Sequence, residues 1–161
     1  MLIIKDLMRL LKDDQMISAQ IIQYLANSTE MLANHHFGNY VIQKAIELYD
    51  LKAIQSIVGV IIEKIGEFSF QKFASNVVEK CIKASDELVK SKFAQKVVSL
   101  EKLGLLMENL YGNYVLETLI ESQLSEEDLE TLIKSMKKTI HTLKSKKHNK
   151  KWQLFVKKKI L

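Results

Sequence analysis

Three segments of this chain share one pattern at nearly constant spacing, and that period limits what the chain can fold into. They are Phe37-Gly38-Asn39-Tyr40-Val41-Ile42-Gln43, Phe73-Ala74-Ser75-Asn76-Val77-Val78-Glu79 and Tyr111-Gly112-Asn113-Tyr114-Val115-Leu116-Glu117. Each reads aromatic, small, polar, polar, apolar, apolar, then amide or carboxylate. The third position falls at 39, 75 and 113, in steps of 36 and 38. A period of this length marks a solenoid of short helical units, each too small to bury its own apolar face. A polar triplet kept at one place in every unit suggests that each unit reads something.

The 161 residues make one domain, large enough to bury a core. Proline is absent, which favours uninterrupted helices. No strand-like alternation of useful length occurs, whereas apolar residues recur at helical spacing. Ile21, Ile22, Leu25 and Leu32 lead into the first unit. Leu51, Ile54, Ile57, Val58, Ile61, Ile62 and Ile65 follow it, and Leu88, Phe93, Val97, Val98, Leu103, Leu106 and Met107 play the same part later. Asn27-Ser28-Thr29, Gly66-Glu67, Ser85-Asp86 and Gly112-Asn113 read as short breaks. Ser125, followed by three acids, reads as the N-cap of a helix running to about Leu143.

The expected fold is therefore an all-α, right-handed helical-repeat solenoid with the triplets on its concave face. Its units are a half-repeat at about 1–16, repeats at about 17–52, 53–88 and 89–126, and a C-terminal capping half-repeat at about 127–161. Leu2-Ile3-Ile4-Lys5 matches Val41-Ile42-Gln43-Lys44. Asn149 to Phe155 keeps the apolar frame of the motif but loses the polar triplet, and Trp152 is expected to pack on that cap.

On a helix, positions i and i+4 share a face. Asn39 with Gln43, Ser75 with Glu79, and Asn113 with Glu117 thus form polar pairs. Tyr40, Asn76 and Tyr114 lie about 100° away, so each pair is flanked by a flat group. That arrangement suits an unpaired base, met on its edge by the pair and on its face by the flat side chain. Two amides complement uracil, which offers two carbonyls and one N–H. The acceptor-only Glu79 complements the adjacent N1–H and N2–H2 of guanine, and the short Ser75 leaves room for a purine. In the third unit Glu117 could still accept from uracil N3–H, but a carbonyl loses its donor. Phe37, Phe73 and Tyr111 are read as core anchors, and His35-His36 as a solvated or capping pair.

These residues resemble the base-reading helices of Pumilio (PUF) repeats, over about residues 17–156 and most specifically at Phe73–Cys81. The order of triplets is similar to the last three repeats of the family and their terminal half-repeat. The resemblance implies single-stranded RNA bound antiparallel at a 5′-UGU element. Asn39/Gln43 would read the second U, Ser75/Glu79 the G, and Asn113/Glu117 the first U, with Tyr40, Asn76 and Tyr114 stacking. It further implies post-transcriptional regulation of mRNA, with the 3′ untranslated region as target and protein co-regulators as partners. The chain departs from the family twice. Glu117 stands where glutamine is usual, and three full repeats stand where eight are typical.

The net charge of +5 hides an asymmetry: residues 131–161 hold eleven lysines and no acid, and the rest carries 13 basic and 19 acidic groups. Lys144, Lys146, Lys147, Lys150 and Lys151 are candidates for phosphate contact; a solvated, lysine-coated cap accounts for the same charge. No catalytic constellation, phosphate loop or zinc spacing occurs, so neither enzymatic activity nor a cofactor is expected. The apolar runs fall short of the ~18 residues of a membrane span, and no secretory signal is expected at Met1-Leu2-Ile3-Ile4. The single Cys81 fits a reducing compartment and a small apolar role. A monomeric binding module in the cytoplasm is expected, with nucleus or nucleolus as the other compartments. Association with ribosomal or precursor RNA, and a helical scaffold for proteins, are the alternative functions.

Overall fold

A computed structural model describes residues 2–160, and about three-quarters of the chain is helical. The helices are α1 (Leu2–Leu11), α2 (Gln15–Asn34), α3 (Asn39–Leu48), α4 (Gln55–Glu63), α5 (Ile65–Phe68), α6 (Ala74–Ala84), α7 (Glu87–Val98), α8 (Leu103–Glu108), α9 (Gly112–Glu121), α10 (Glu126–Ile140) and α11 (Lys146–Ile160). No strand occurs among the described residues. The expected all-α helical-repeat solenoid is the fold observed.

Two rows of helices run side by side. One row is α1, α3, α6 and α9, each packed on the next; the other is α2, α4, α7 and α10. The short α5 and α8 bridge the rows, and α11 closes the end against α8 and α10. The core lies between the rows. Ile42, Val77, Val78, Val115 and Leu116 enter it from the first row, and Ile57, Ile61, Phe93, Val97, Leu132 and Met136 from the second. Each such side chain contributes about 1.5–3 kcal/mol by leaving water. Ion pairs one unit apart, Glu30–Lys64 at 3.0 Å and Glu63–Lys96 at 2.5 Å, tie successive helices of the second row at the surface.

Local signals set most boundaries. Asp14, Asp86 and Ser125 accept from the backbone N–H three residues on, at 3.0, 2.9 and 3.2 Å, and so start α2, α7 and α10. Helix α10 stops at Ile140 rather than near Leu143, because Thr142 and Leu143 bond back three residues in a tightened turn. Asn27-Ser28-Thr29 is not a break: it lies inside α2, where Thr29 Oγ1 donates to Leu25 O at 2.7 Å. A hydroxyl bonded to its own preceding turn leaves the helix intact. Leu88 differs from its apolar neighbours in being exposed at the start of α7.

Candidate nucleic-acid interface

The three motifs open α3, α6 and α9, consecutive helices of one row. Their N-termini are built alike, without a side-chain cap at the N-cap itself. In the first unit His35 Nδ1 accepts from the backbone N–H of Phe37 and Gly38. In the third, Asn109 Oδ1 accepts from Tyr111 and Gly112 at 2.8 and 2.9 Å. These bonds satisfy backbone donors of the turn that leads into each helix; His35 therefore caps, as the sequence allowed. Glycine is needed at position two of the first motif, because a Cβ on Gly38 would stand 2.8 Å from Leu32 O.

The second polar position is exposed in every unit: Tyr40 is 45% and Tyr114 54% accessible, and Asn76 is exposed as well. The fifth position, Gln43, Glu79 and Glu117, is partly buried at the base of the same face. The first position differs from expectation. Asn39, Ser75 and Asn113 are only 2%, 3% and 5% accessible. Their polar atoms turn back onto the chain. Asn39 Nδ2 donates to His35 O and His36 O, both at 2.9 Å, and Asn113 Nδ2 donates to Asn109 O and Leu110 O at 2.7 and 3.0 Å. Ser75 Oγ donates weakly to Lys72 O at 3.4 Å. The i, i+4 rule put these residues beside Gln43, Glu79 and Glu117; the carbonyls of the turn before each helix hold the side chains inward.

What each unit leaves to offer follows from these bonds. Gln43 Nε2 donates to Asn39 Oδ1 at 2.9 Å, which orients the amide and leaves one N–H and the Oε1 oxygen free. Glu79 Oε2 accepts from Thr118 Oγ1 of the neighbouring helix at 3.1 Å, and Lys83 Nζ lies 3.8 Å away. In the third unit the terminal helix intervenes. Lys151 Nζ is 2.5 Å from Asn113 Oδ1, 3.0 Å from Glu117 Oε1 and 5.2 Å from the centre of the Tyr114 ring. Farther along the face, Lys44 donates to Glu47 at 2.6 Å and holds that carboxyl below its usual range.

Of the five lysines singled out for phosphate, Lys144, Lys146, Lys147 and Lys150 are exposed on or just before α11. Lys151 is the exception: among the described residues it is the one of the five with an acidic partner. The aromatic first positions also diverge. Phe73 and Tyr111 are half-buried, but Phe37 is 54% accessible and therefore not a core anchor. It packs on His36 at the surface, ring centres 3.9 Å apart, because the turn that His35 caps points it outward. Trp152 is fully buried on the cap and donates from Nε1 to Met107 O at 2.8 Å.

Thr118 and the site role of Lys151 are invisible to a motif scan. Both act across helices, at sequence separations of 39 and 34 to 38 residues. The one available signal is that Thr118 follows Asn113 by five positions, where the other units have Lys44 and Lys80. Among the described residues no group of His, Cys, Asp and Glu is placed to hold a metal ion, and no helix is long and apolar enough to cross a membrane.

Comparison with known proteins places these units. The family model for the Pumilio-family RNA binding repeat matches residues 30–62, 64–97 and 105–136, more than half of the chain. A Pumilio domain-containing protein of Schizosaccharomyces pombe is 29% identical over 126 residues, 78% of this chain and 18% of that protein. Pumilio homolog 12 of Arabidopsis thaliana is 29% identical over 131 residues, 81% of this chain and 22% of that protein. Among solved structures, PUF-8 in complex with PBE-RNA superposes with a TM-score of 0.78 at 25% identity, covering 88% of this chain and 42% of that one. The Puf4 RNA binding domain bound to an HO endonuclease RNA recognition sequence has the same fold, with a TM-score of 0.77 at 17% identity, covering 94% of this chain and 46% of that one. The chain thus spans about a fifth of these sequence relatives and less than half of these solved domains.

Proposed function

The chain belongs to the Pumilio family of RNA-binding repeat proteins, and from that premise we propose that it binds single-stranded RNA sequence-specifically, one base per repeat. The preferred element is 5′-UGU, with Asn39/Gln43 at the second U, Ser75/Glu79 at the G and Asn113/Glu117 at the first U. Tyr40, Asn76 and Tyr114 stack on the bases. One observation carries this reading. Three consecutive helices of one row each present an exposed flat group beside a partly buried amide or carboxylate. In the first unit the buried Asn39 orients the Gln43 amide, and in the third Asn113 is joined to Glu117 through Lys151.

Energetics limit the affinity. Stacking contributes about 1–3 kcal/mol per base, so three bases give roughly 3–9 kcal/mol before ordering costs. Micromolar binding needs about 8 kcal/mol net. Base contacts alone leave binding weak, and the exposed lysines of the C-terminal end supply phosphate contacts in addition. We infer a cytoplasmic role in mRNA regulation through 3′ untranslated regions. Sequencing RNA crosslinked to the protein checks this: enrichment of ribosomal or precursor RNA instead identifies the alternative role.

The test of base reading is a titration of the parent and Glu79→Gln against UGU and UUU oligonucleotides. The variant is expected to lose about 1–3 kcal/mol of preference for the central G, as for other bidentate contacts. An unchanged preference removes Glu79 from the reading, and equal binding of scrambled RNA by the parent removes the reading itself.

A further inference from the structure

The first and third units differ in one reading residue, Gln43 against Glu117, yet their hydrogen bonding is matched. In the first unit Gln43 Nε2 donates to Asn39 Oδ1. Glu117 has no proton to donate to Asn113 Oδ1, and that place is taken by Lys151 Nζ, which also binds Glu117 Oε1. A lysine ammonium has three protons. Two are used on Asn113 and Glu117, and one remains. One carboxylate oxygen, Oε1, is engaged by the lysine, which leaves Oε2 free among the described residues. The third unit therefore offers one donor next to one acceptor, the same set that Gln43 offers once it has bonded Asn39.

From this we propose that Lys151 belongs to the third base-reading site, where it is the donor half of a Lys151–Glu117 pair that recognises uracil. Glu117 Oε2 accepts from N3–H and Lys151 donates to the neighbouring carbonyl. In that register the pair disfavours cytosine and adenine, whose amino group stands where uracil has the carbonyl facing Lys151 and whose unprotonated ring nitrogen stands where uracil has the N3–H facing Glu117. It disfavours guanine because the Lys151 ammonium, a donor, stands beside the carboxylate where guanine presents a second donor, N2–H2. Without Lys151 the unit becomes anionic and acceptor-only, as Glu79 is, and its selectivity moves to guanine. The inference rests on the base-per-repeat reading above and assigns Lys151 a task different from that of its phosphate-facing neighbours. Lys151 is partly buried, with 29% of its side chain accessible, and its ammonium is held at two points; a lysine that merely coats the surface has neither property.

The experiment is binding of the full chain to UGU, GGU and CGU oligonucleotides by fluorescence anisotropy, for the parent, Lys151→Met and the double variant Lys151→Met/Glu117→Gln. The parent is expected to prefer UGU. Lys151→Met should shift the UGU-to-GGU affinity ratio toward guanine by about tenfold or more, the scale of one good base contact. The double variant should regain the uracil preference, because its third unit then repeats the first; this arm also shows that the fold tolerates loss of the lysine. A uniform loss of affinity with the ratio unchanged makes Lys151 a phosphate contact and overturns the proposal. A uniform gain makes it a plug over the site and overturns it equally. Loss of selectivity at the central base in the parent is a separate result, which sinks the base-per-repeat reading and this inference with it.

Discussion

Thr118 Oγ1 on α9 donates to Glu79 Oε2 on α6 across 3.1 Å, so the carboxylate of one unit is held by the next. Thr118 is 8% accessible and shares α9 with the third motif. A hydrogen bond to a charged group fixes the rotamer of that group as well as stabilising it. Thr118→Val keeps the shape and removes the donor. The variant should lose part of the preference for the central G, about 0.5–1.5 kcal/mol, with little change in affinity for UUU. Titration against both RNAs checks this, beside a thermal melt to confirm an unaltered fold. Full retention of the G preference would mean that Glu79 needs no support from its neighbour.

The exposed lysines of the C-terminal end are expected to act on affinity and not on selectivity. Lys146, Lys147 and Lys150 are free of acidic partners among the described residues. The triple variant to Gln should weaken binding to every RNA alike and flatten the log–log salt dependence by about 0.7 per lost single-strand contact. Binding measured from low to moderate salt decides this. A slope equal to that of the parent leaves these residues as a solvated cap only.

Trp152 joins the terminal helix to the repeats. Its ring is fully buried, meets Phe155 edge-on at 5.5 Å, and its N–H is bonded to Met107 O. Trp152→Ala should cost about 3–5 kcal/mol, the range for deleting a buried aromatic. Urea unfolding gives the value. Because Lys151 is adjacent, the same variant should also disturb selectivity at the first base, whereas Leu154→Ala on the exposed face of α11 should do neither.

Cys81 predicts a dependence of stability on alkaline pH. Burial pushes its thiol up to about 12 from 9.0, with a smaller opposing effect from Ser85. The folded value is the raised one, so the unfolded chain loses the proton first. The contribution is fully present below pH 9 and is lost as pH rises toward 12, at up to about 1.4 kcal/mol per unit. The stability difference between the parent and Cys81→Ala should therefore shrink over that window. Denaturant melts of both proteins at about pH 8 and about pH 10, on either side of the unfolded thiol's titration, measure it. In the native state at the lower pH the thiol should resist alkylation and react only on unfolding.

The first unit shows where sequence reasoning reaches and where it stops. The 36-to-38-residue period, the apolar positions Val41 and Ile42, and the helix opening at Gly38-Asn39 are local facts, and the helix and its buried face followed from them. The inward turn of Asn39 did not follow. It depends on where the chain before the helix leaves the carbonyls of His35 and His36, which no spacing rule reports. Phe37 fails for the same reason: its exposure is decided by the path of the short turn between α2 and α3.

By itself the sequence determined the class of fold and the family, because both rest on a repeated pattern of residue types whose physical cause is local: helical periodicity and the need of each short unit to bury one face on its neighbour. It also placed the amide or carboxylate and the flat side chain of every unit. Only the tertiary structure decided what those groups are bonded to. The pairing of Thr118 with Glu79, and of Lys151 with Asn113 and Glu117, joins residues more than thirty positions apart. Such contacts are set by the stacking of one helix on the next, and hydrogen bonding at that range leaves no period in the chain to be read.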